Sequence, residues 1–279
     1  MSITFSLIAM CLLGLTHFIN GLVSEHYPPI RIALYTHIGG CVIGLGCALA
    51  LSNWHIEAIL WGTLAGTGSA LGALLLYRGL SIAPFGIVVP VSAVSMVMIS
   101  LGLSLIFLGE QLNIWIWTGV LIALPAIWLT TGGKAFRNVL GQKKTGAGLI
   151  LGIGAGIGFA LQLHFLGQVP DQAAFFGIAL CMLSGGICIL PFCSRKSPNR
   201  KRYAFFATTA GGISALGLTL YALSREGQLA IVSIMIVSMY PLIPVIFGSM
   251  MRKEAISNTS KIGIGLSIVA TMLIVAGTH

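Results

Sequence analysis

His17 and Asn20 stand three residues apart in "LLGLTHFINGL", and His164 and Gln168 stand four apart in "ALQLHFLGQVP". At those spacings each pair shares one face of a helix. The surrounding residues are apolar, so these groups sit where polarity is costly and calls for a partner. Gln162, Thr67, Ser92, Ser214 and Tyr240 are further uncharged hydrogen-bonding groups set in apolar sequence. Carboxamides, hydroxyls and neutral imidazoles can hold a small polar solute, and His17, Asn20, Thr67, Ser92, Gln162, His164, Ser214 and Tyr240 are the candidate binding residues. Every Asp, Glu, Lys and Arg lies at or outside the edge of an apolar run, Arg31 being the deepest. No buried carboxylate is offered as a proton or cation site. An imidazole titrates near pH 6.5, so a proton, if one moves, would be carried by His17 or His164. His37, beside "GG", is a second-rank candidate.

Other chemistries lack their residues. There is no Walker A sequence, no H-E-x-x-H and no nucleophile elbow. "GIGAGIG" (152–158) imitates a phosphate-binding loop but lies inside an apolar run with no preceding strand. It reads instead as helix contact through Gly-x-x-x-Gly. The six cysteines form no C-x-x-C pair, so neither zinc nor a disulfide framework is signalled. Met96, Met98, Met235 and Met239 have no His or Cys at ligand spacing. No catalytic activity, cofactor or metal is expected. The net charge of +9 comes from loop residues with no interleaved aromatics, so nucleic acid is not an expected partner.

The elements that position these groups follow from composition. The chain is 57% hydrophobic and 8% charged, against roughly 25% charged in a soluble domain. That deficit describes a multi-pass integral membrane protein. Runs of about 20 apolar residues, each able to cross a hydrocarbon core of about 30 Å as a helix, predict ten spans. They lie near 3–23, 30–51, 57–76, 84–108, 113–131, 147–167, 173–193, 203–223, 227–250 and 262–277. Strand alternation is absent, which argues against a β-barrel. The first run has no basic segment before it and no A-x-A site, so it reads as the first span rather than a cleaved signal.

Glu254 follows Glu110 by 144 positions, and sliding the chain by that amount gives a gapless internal register. Gly14 meets Gly158, Gly68 meets Gly212, Tyr77 meets Tyr221, Asn20 meets His164, and Met96 meets Tyr240. All five span boundaries of one half coincide with those of the other. The expected units are 1–133, a basic connection at 134–145, and 146–279. Five spans is an odd number, so the second half enters the membrane from the opposite side. The fold class is all-α: ten transmembrane helices as two inverted five-helix repeats. Secondary transporters use this plan, with the site near the midplane between repeats. Each Glu marks the turn between the fourth and fifth span of its half and should cap a helix start.

"LGEQLNIWIWTGVLIALPAIWL" and "MRKEAISNTSKIGIGLSIVATML" resemble the G-E-x-L … G-x-x-L-I-x-x-G-x-x-L ending of the EamA family, within the drug/metabolite transporter superfamily. "YRGLSIAPFGIVVPVSAVSMVMISLGLSLIF" is similar to that family's Tyr-containing third span and small-residue-rich fourth span. The resemblance covers the chain twice over and implies two inverted five-helix bundles around a central cavity lined by spans 1, 3, 4, 6, 8 and 9. It implies transport of a small metabolite, with relatives carrying amino acids, nucleotide sugars or drugs. The second copy has Lys253 where the first has Gly109. "LLGLTHFIN" lacks the Trp common in first spans, and no acid occupies the first-helix position that small multidrug relatives use.

Pro90 in span 4, and Pro241 and Pro244 in "SMYPLIP" of span 9, remove backbone donors and should kink the helices that rock. With Tyr77 and Tyr221, which fall near opposite ends of the cavity, they are the candidate gating residues. Fourteen of the 15 Lys and Arg residues fall in loops 1–2, 3–4, 5–6, 7–8 and 9–10, leaving only Arg225 on the other side. The positive-inside rule then puts those five loops in the cytoplasm and both termini outside, in the inner or plasma membrane. The expected function is alternating-access transport of a small neutral or zwitterionic solute, an amino acid or related metabolite, with export favoured by the resemblance. The alternative is handling of a lipid intermediate, with Arg31 at the headgroup. The expected partners are the solute, membrane lipid and, through the Gly-rich spans 5 and 10, a second copy of the chain.

Overall fold

In lipid a backbone N–H or C=O has no water to bond, so an apolar run folds as helix and satisfies these groups internally. The computed structural model describes residues 1–24, 26–83, 85–130, 143–193, 201–226, 229–252 and 257–278. Its helices are α1 (Ser2–Ser24), α2 (Pro29–Leu51), α3 (Ile56–Ile82), α4 (Phe85–Phe107), α5 (Ile114–Thr130), α6 (Lys143–Leu166), α7 (Ala174–Ile189), α8 (Lys201–Ser224), α9 (Ala230–Ser238), α10 (Leu242–Arg252) and α11 (Asn258–Ala276). No strand occurs among the described residues. Among the described residues nine helical segments are long and apolar enough to cross a membrane, α9 and α10 together making one of them, and α5 is a shorter apolar helix that completes the ten. The fifth has 17 residues, and 3-10 turns at Asp171–Ala173 and Leu190–Phe192 extend α7 into a 22-residue span. The third runs to Ile82, the sixth starts at Lys143 and the tenth at Asn258, each extending the apolar run into polar or basic sequence. Most of the basic connection and all of Glu254 lie outside the described residues.

The inverted relation of the halves is visible in the packing. α5 and α11 are the fifth helices of the two repeats. A Cβ on Gly119 would fall 3.1 Å from the Ile274 amide, and one on Gly263 would fall 2.6 Å from the Leu129 carbonyl carbon, against Thr130. Adding 144 turns 119 into 263 and 130 into 274, so Gly119–Ile274 and Thr130–Gly263 are one contact seen twice with partners exchanged. The helices are antiparallel, as a two-fold axis in the membrane plane requires. The same exchange relates α1 on α8 to α6 on α3, α2 on α8 to α7 on α3, and α6 on α4 to α1 on the ninth span.

Small residues set these approaches. Gly158 meets the backbone of Gly72 and Gly154 meets Leu75, both on α3. Gly152 meets Val91 and Gly156 meets Ser92 and Ser95, all on α4. The two Gly-x-x-x-Gly pairs of "GIGAGIG" therefore grip two different helices.

The ninth span is broken. Pro241 and Pro244 have no N–H to give to Val237 and Tyr240. The chain turns instead through short bonds, Tyr240 N to Val237 O at 3.0 Å and Ile243 N to Tyr240 O at 3.1 Å. Gly14 on α1 admits this turn, since a Cβ there would lie 2.7 Å from the Tyr240 carbonyl oxygen. Pro90 leaves α4 continuous.

Glu110 does cap a helix, but not its own. Asn113 caps α5, its Oδ1 accepting from Ile116 N at 3.0 Å. Gly109 turns the preceding loop at φ +63°. That turn sends the Glu110 carboxylate to α9 in the other half, where it accepts from Ala230 N and, at 3.1 Å, from Ile231 N. Leu229, which precedes α9, supplies no side-chain cap, so Glu110 meets donors that have no helical partner. Glu110→Ala should cost about 1–2 kcal/mol, the range for a lost cap and a lost helix-end charge. Glu110→Gln keeps the acceptor and should cost less. Thermal unfolding in detergent measures both, and an Ala variant as stable as the parent would refute the cap.

Candidate binding chamber

Eight spans enclose a chamber of about 90 Å³. A water needs roughly 10–15 Å³ on this scale, so the chamber has room for several waters. α1 contributes Thr16, His17 and Asn20. α2 contributes Thr36 and His37, α3 Ser69 and Tyr77, and α4 Met96. From the second half come Gln162 on α6, Met182 on α7, Ser214 on α8 and Tyr240 at the break in the ninth span. No Asp, Glu, Lys or Arg is among the lining residues. Spans 2 and 7 join the six that the resemblance implied.

Most of these polar groups are positioned by a neighbour from another helix. The His17 ring stacks on Tyr240 at 4.5 Å between centroids and 31° between planes. Asn20 Nδ2 donates to Thr36 Oγ1 at 3.1 Å, and the Tyr77 hydroxyl lies beside the same amide. Thr16 Oγ1 donates to its own helix at Leu12 O, 3.0 Å away, and faces the Ala210 carbonyl of α8 at 3.1 Å. His37 lies between the Ala33 carbonyl, 2.8 Å from Nδ1, and Ser69 Oγ, 3.0 Å from Nε2. Gly185 leaves room for that ring, since a Cβ there would lie 2.6 Å from it. Gln162 Nε2 donates weakly to Cys181 Sγ at 3.7 Å.

Of the expected binding residues, His17, Asn20, Gln162, Ser214 and Tyr240 line this chamber and Thr67, Ser92 and His164 do not. Thr67 is exposed on the outer side of α3, its hydroxyl donating to Leu64 O at 2.7 Å. The stripe that faces inward is Ser69, Ala73 and Tyr77. Thr67 is two residues from Ser69, a rotation of about 200° on a helix. The same offset separates His164 from Gln162, and His164 packs instead on Phe107 and Phe165. Ser92 is buried where α4 meets Gly156 of α6. Met96 and Tyr240, equivalent in the repeat register, both reach the chamber.

The expected gating residues fall in different places. Tyr77 lines the chamber; Tyr221 does not, and with 0% exposure it donates to the Leu163 carbonyl at 2.9 Å, joining α8 to α6. Beyond Tyr221 the same end is closed further. Ser224 donates to Ser233 at 3.0 Å, Ser2 donates to the Glu226 carbonyl at 2.7 Å, and the Arg225 side chain lies over Gly167. Along α1 the chamber extends from Leu13 to Asn20, toward the side that carries most of the Lys and Arg. Pro241 sits in the break beside Tyr240 and Pro244 in the first turn of α10, while Pro90 is buried within α4.

Two inverted five-helix units around an uncharged central chamber fit the architecture that the sequence resembled, and a family comparison agrees. The model of the EamA-like transporter family matches residues 1–132. The match covers a little under half of the chain, and residues 1–132 are similar to the EamA-like transporter family. The matched residues comprise α1 to α5, and the exchange of contacts extends the same packing to α6 through α11. No curated protein matches the chain. One crystal structure of a protein has a TM-score of 0.73 to it at 17% identity, covering 98% of this chain and 95% of that one. At that identity the likeness establishes the fold. Thr16, Thr36, Ser69 and Met182 were not picked out from sequence. In the sequence Thr16 and Thr36 merely adjoin His17 and His37, Ser69 lies two residues from Thr67, and Met182 has no expected site residue on its helix.

Proposed function

We propose that this EamA-family membrane protein is a secondary transporter that moves a small neutral or zwitterionic organic solute, an amino acid or related metabolite, by alternating access. The observation that carries the reading is the chamber itself. It draws side chains from both halves, offers hydroxyl, amide, imidazole and phenol groups, and includes no full charge. A multivalent ion there would lack the partners that buried charge requires. The closed end around Tyr221, Ser224 and Ser233 and the chamber at Tyr77 and Asn20 give one of the two access states that such a cycle needs. The Lys and Arg distribution supports an inner or plasma membrane location with the chamber side cytoplasmic, the arrangement an exporter would use to load.

Purified protein in liposomes, preloaded with metabolite pools, tests the reading by exchange. Expected is saturable exchange of at least one neutral or zwitterionic solute that also raises the thermal midpoint. Stabilisation by lipids alone, with no solute exchanged, would overturn it.

A further inference from the structure

Hydrogen-bond direction within the chamber narrows the solute. The Ala33 carbonyl can only accept, so the proton of neutral His37 is on Nδ1 and Nε2 is an acceptor. Ser69 must then donate its hydroxyl proton to Nε2, which leaves Ser69 Oγ with lone pairs and no proton for the chamber. Asn20 is 2% exposed and gives Nδ2 to Thr36. Its Oδ1 finds no hydrogen-bond partner among the described residues. A buried acceptor without a donor is costly, and this one belongs to a side chain that lines the cavity. Thr36 and His37 are neighbours on α2, which draws the two acceptors toward one end. Farther along, Leu13, Met96, Leu163, Met182, Leu218 and Val237 make the middle of the chamber apolar.

We propose that this end of the chamber binds a neutral head group with two N–H donors, a primary carboxamide, with Asn20 Oδ1 and Ser69 Oγ as its acceptors and the solute's apolar part toward Met96 and Leu218. A carboxylate would meet those two acceptors, with only the Thr36 and Tyr77 hydroxyls at this end able to donate to it. An ammonium ion would find acceptors but no counter-charge on the lining. The inference rests on the transporter reading only in calling the ligand a substrate; the site stands or falls by binding.

The test uses the full chain in detergent with butyramide, n-butylammonium and butyrate at matched concentration, read as the shift in thermal midpoint. Butyramide should stabilise most, n-butylammonium less and butyrate least. Asn20→Leu should weaken butyramide binding at least tenfold, and Ser69→Ala several-fold. Asn20→Asp, nearly isosteric, should reverse the order in favour of n-butylammonium, and it carries the test if Asn20→Leu does not fold. Butyrate binding as well as butyramide, no stabilisation by any of the three, or an unchanged order in Asn20→Asp would overturn the proposal. Exchange across liposomes separates the two readings. Butyramide bound but never exchanged defeats transport and leaves the site, whereas butyrate exchanged in place of butyramide defeats the site and leaves transport.

Discussion

Gly39→Ala or Gly211→Ala is expected to lower the thermal midpoint of the purified protein by roughly 6–12 °C, or to prevent its recovery in folded form. A Cβ on Gly39 would overlap the Thr208 carbonyl and stand 2.6 Å from its carbon; one on Gly211 would overlap the Thr36 carbonyl and stand 2.9 Å from Gly40 N. These neighbours are backbone atoms, so no rotamer change relieves the clash, and α2 and α8 must move apart. Overpacking of this kind costs typically about 1–3 kcal/mol, and the lack of any flexible neighbour places both sites at or above the upper end. At roughly 2–4 °C per kcal/mol for chains near this size, the shift follows. Gly46 and Gly265 are the controls, with nothing within 4 Å of an added Cβ. Alanine there should be neutral or stabilising by up to about 1 kcal/mol, the helix-propensity difference. Equal midpoints for Gly39→Ala and Gly46→Ala would show that helix contact does not depend on these glycines. The Gly211 variant should also disturb the chamber, because Thr36, whose carbonyl it displaces, holds Asn20.

The spans were legible because lipid demands long uninterrupted apolar runs, and the repeat was legible because Glu110 with Glu254 and Tyr77 with Tyr221 are rare types at a fixed offset. Which stripe of each helix faces inward was much harder to read. In a water-soluble helix polarity marks the outside, but here both the lipid face and the packed face are apolar. A hydroxyl such as Thr67 can face outward at little cost because it bonds to its own helix at Leu64 O. Polarity alone therefore did not separate Thr67 from Ser69 or His164 from Gln162. The inward stripes are fixed by where glycines let helices touch, as Gly68 and Gly72 do against Gly158, and that is a property of pairs of helices. The destination of Glu110 is hidden for the same reason: the four-residue spacing to α5 suggests a local cap, whereas its donors lie 120 residues away. The prolines of span 9 were legible as a weakness, though not that Pro90, in the equivalent span, leaves its helix intact. Pro90 sits in the second turn of α4, whereas Pro241 and Pro244 fall mid-span.

Pro241→Ala/Pro244→Ala is expected to reseal the ninth span and empty the chamber of Tyr240. In the broken form both prolines lie at the entry to α10, where a missing N–H removes no helical bond. In a continuous helix each would cost about 3 kcal/mol relative to alanine. The double substitution therefore leaves the broken form nearly unchanged and lowers the continuous one by roughly 6 kcal/mol, more than the ~5.5 kcal/mol that carries a two-state equilibrium from 1:99 to 99:1. With N–H groups restored, residue 241 can bond to the Val237 carbonyl and residue 244 to the Tyr240 carbonyl. The backbone then rotates, Tyr240 leaves the His17 ring on which it stacks, and the Gly14 contact with the Tyr240 carbonyl is lost. Hydrogen exchange at Leu242 and Ile243 should slow, and stabilisation by solutes that bind the parent should fall at least tenfold while the protein remains folded. Unchanged exchange together with undiminished solute binding would mean that the break is held by Gly14 and the rest of α1, and that the prolines merely follow a path that packing has already set.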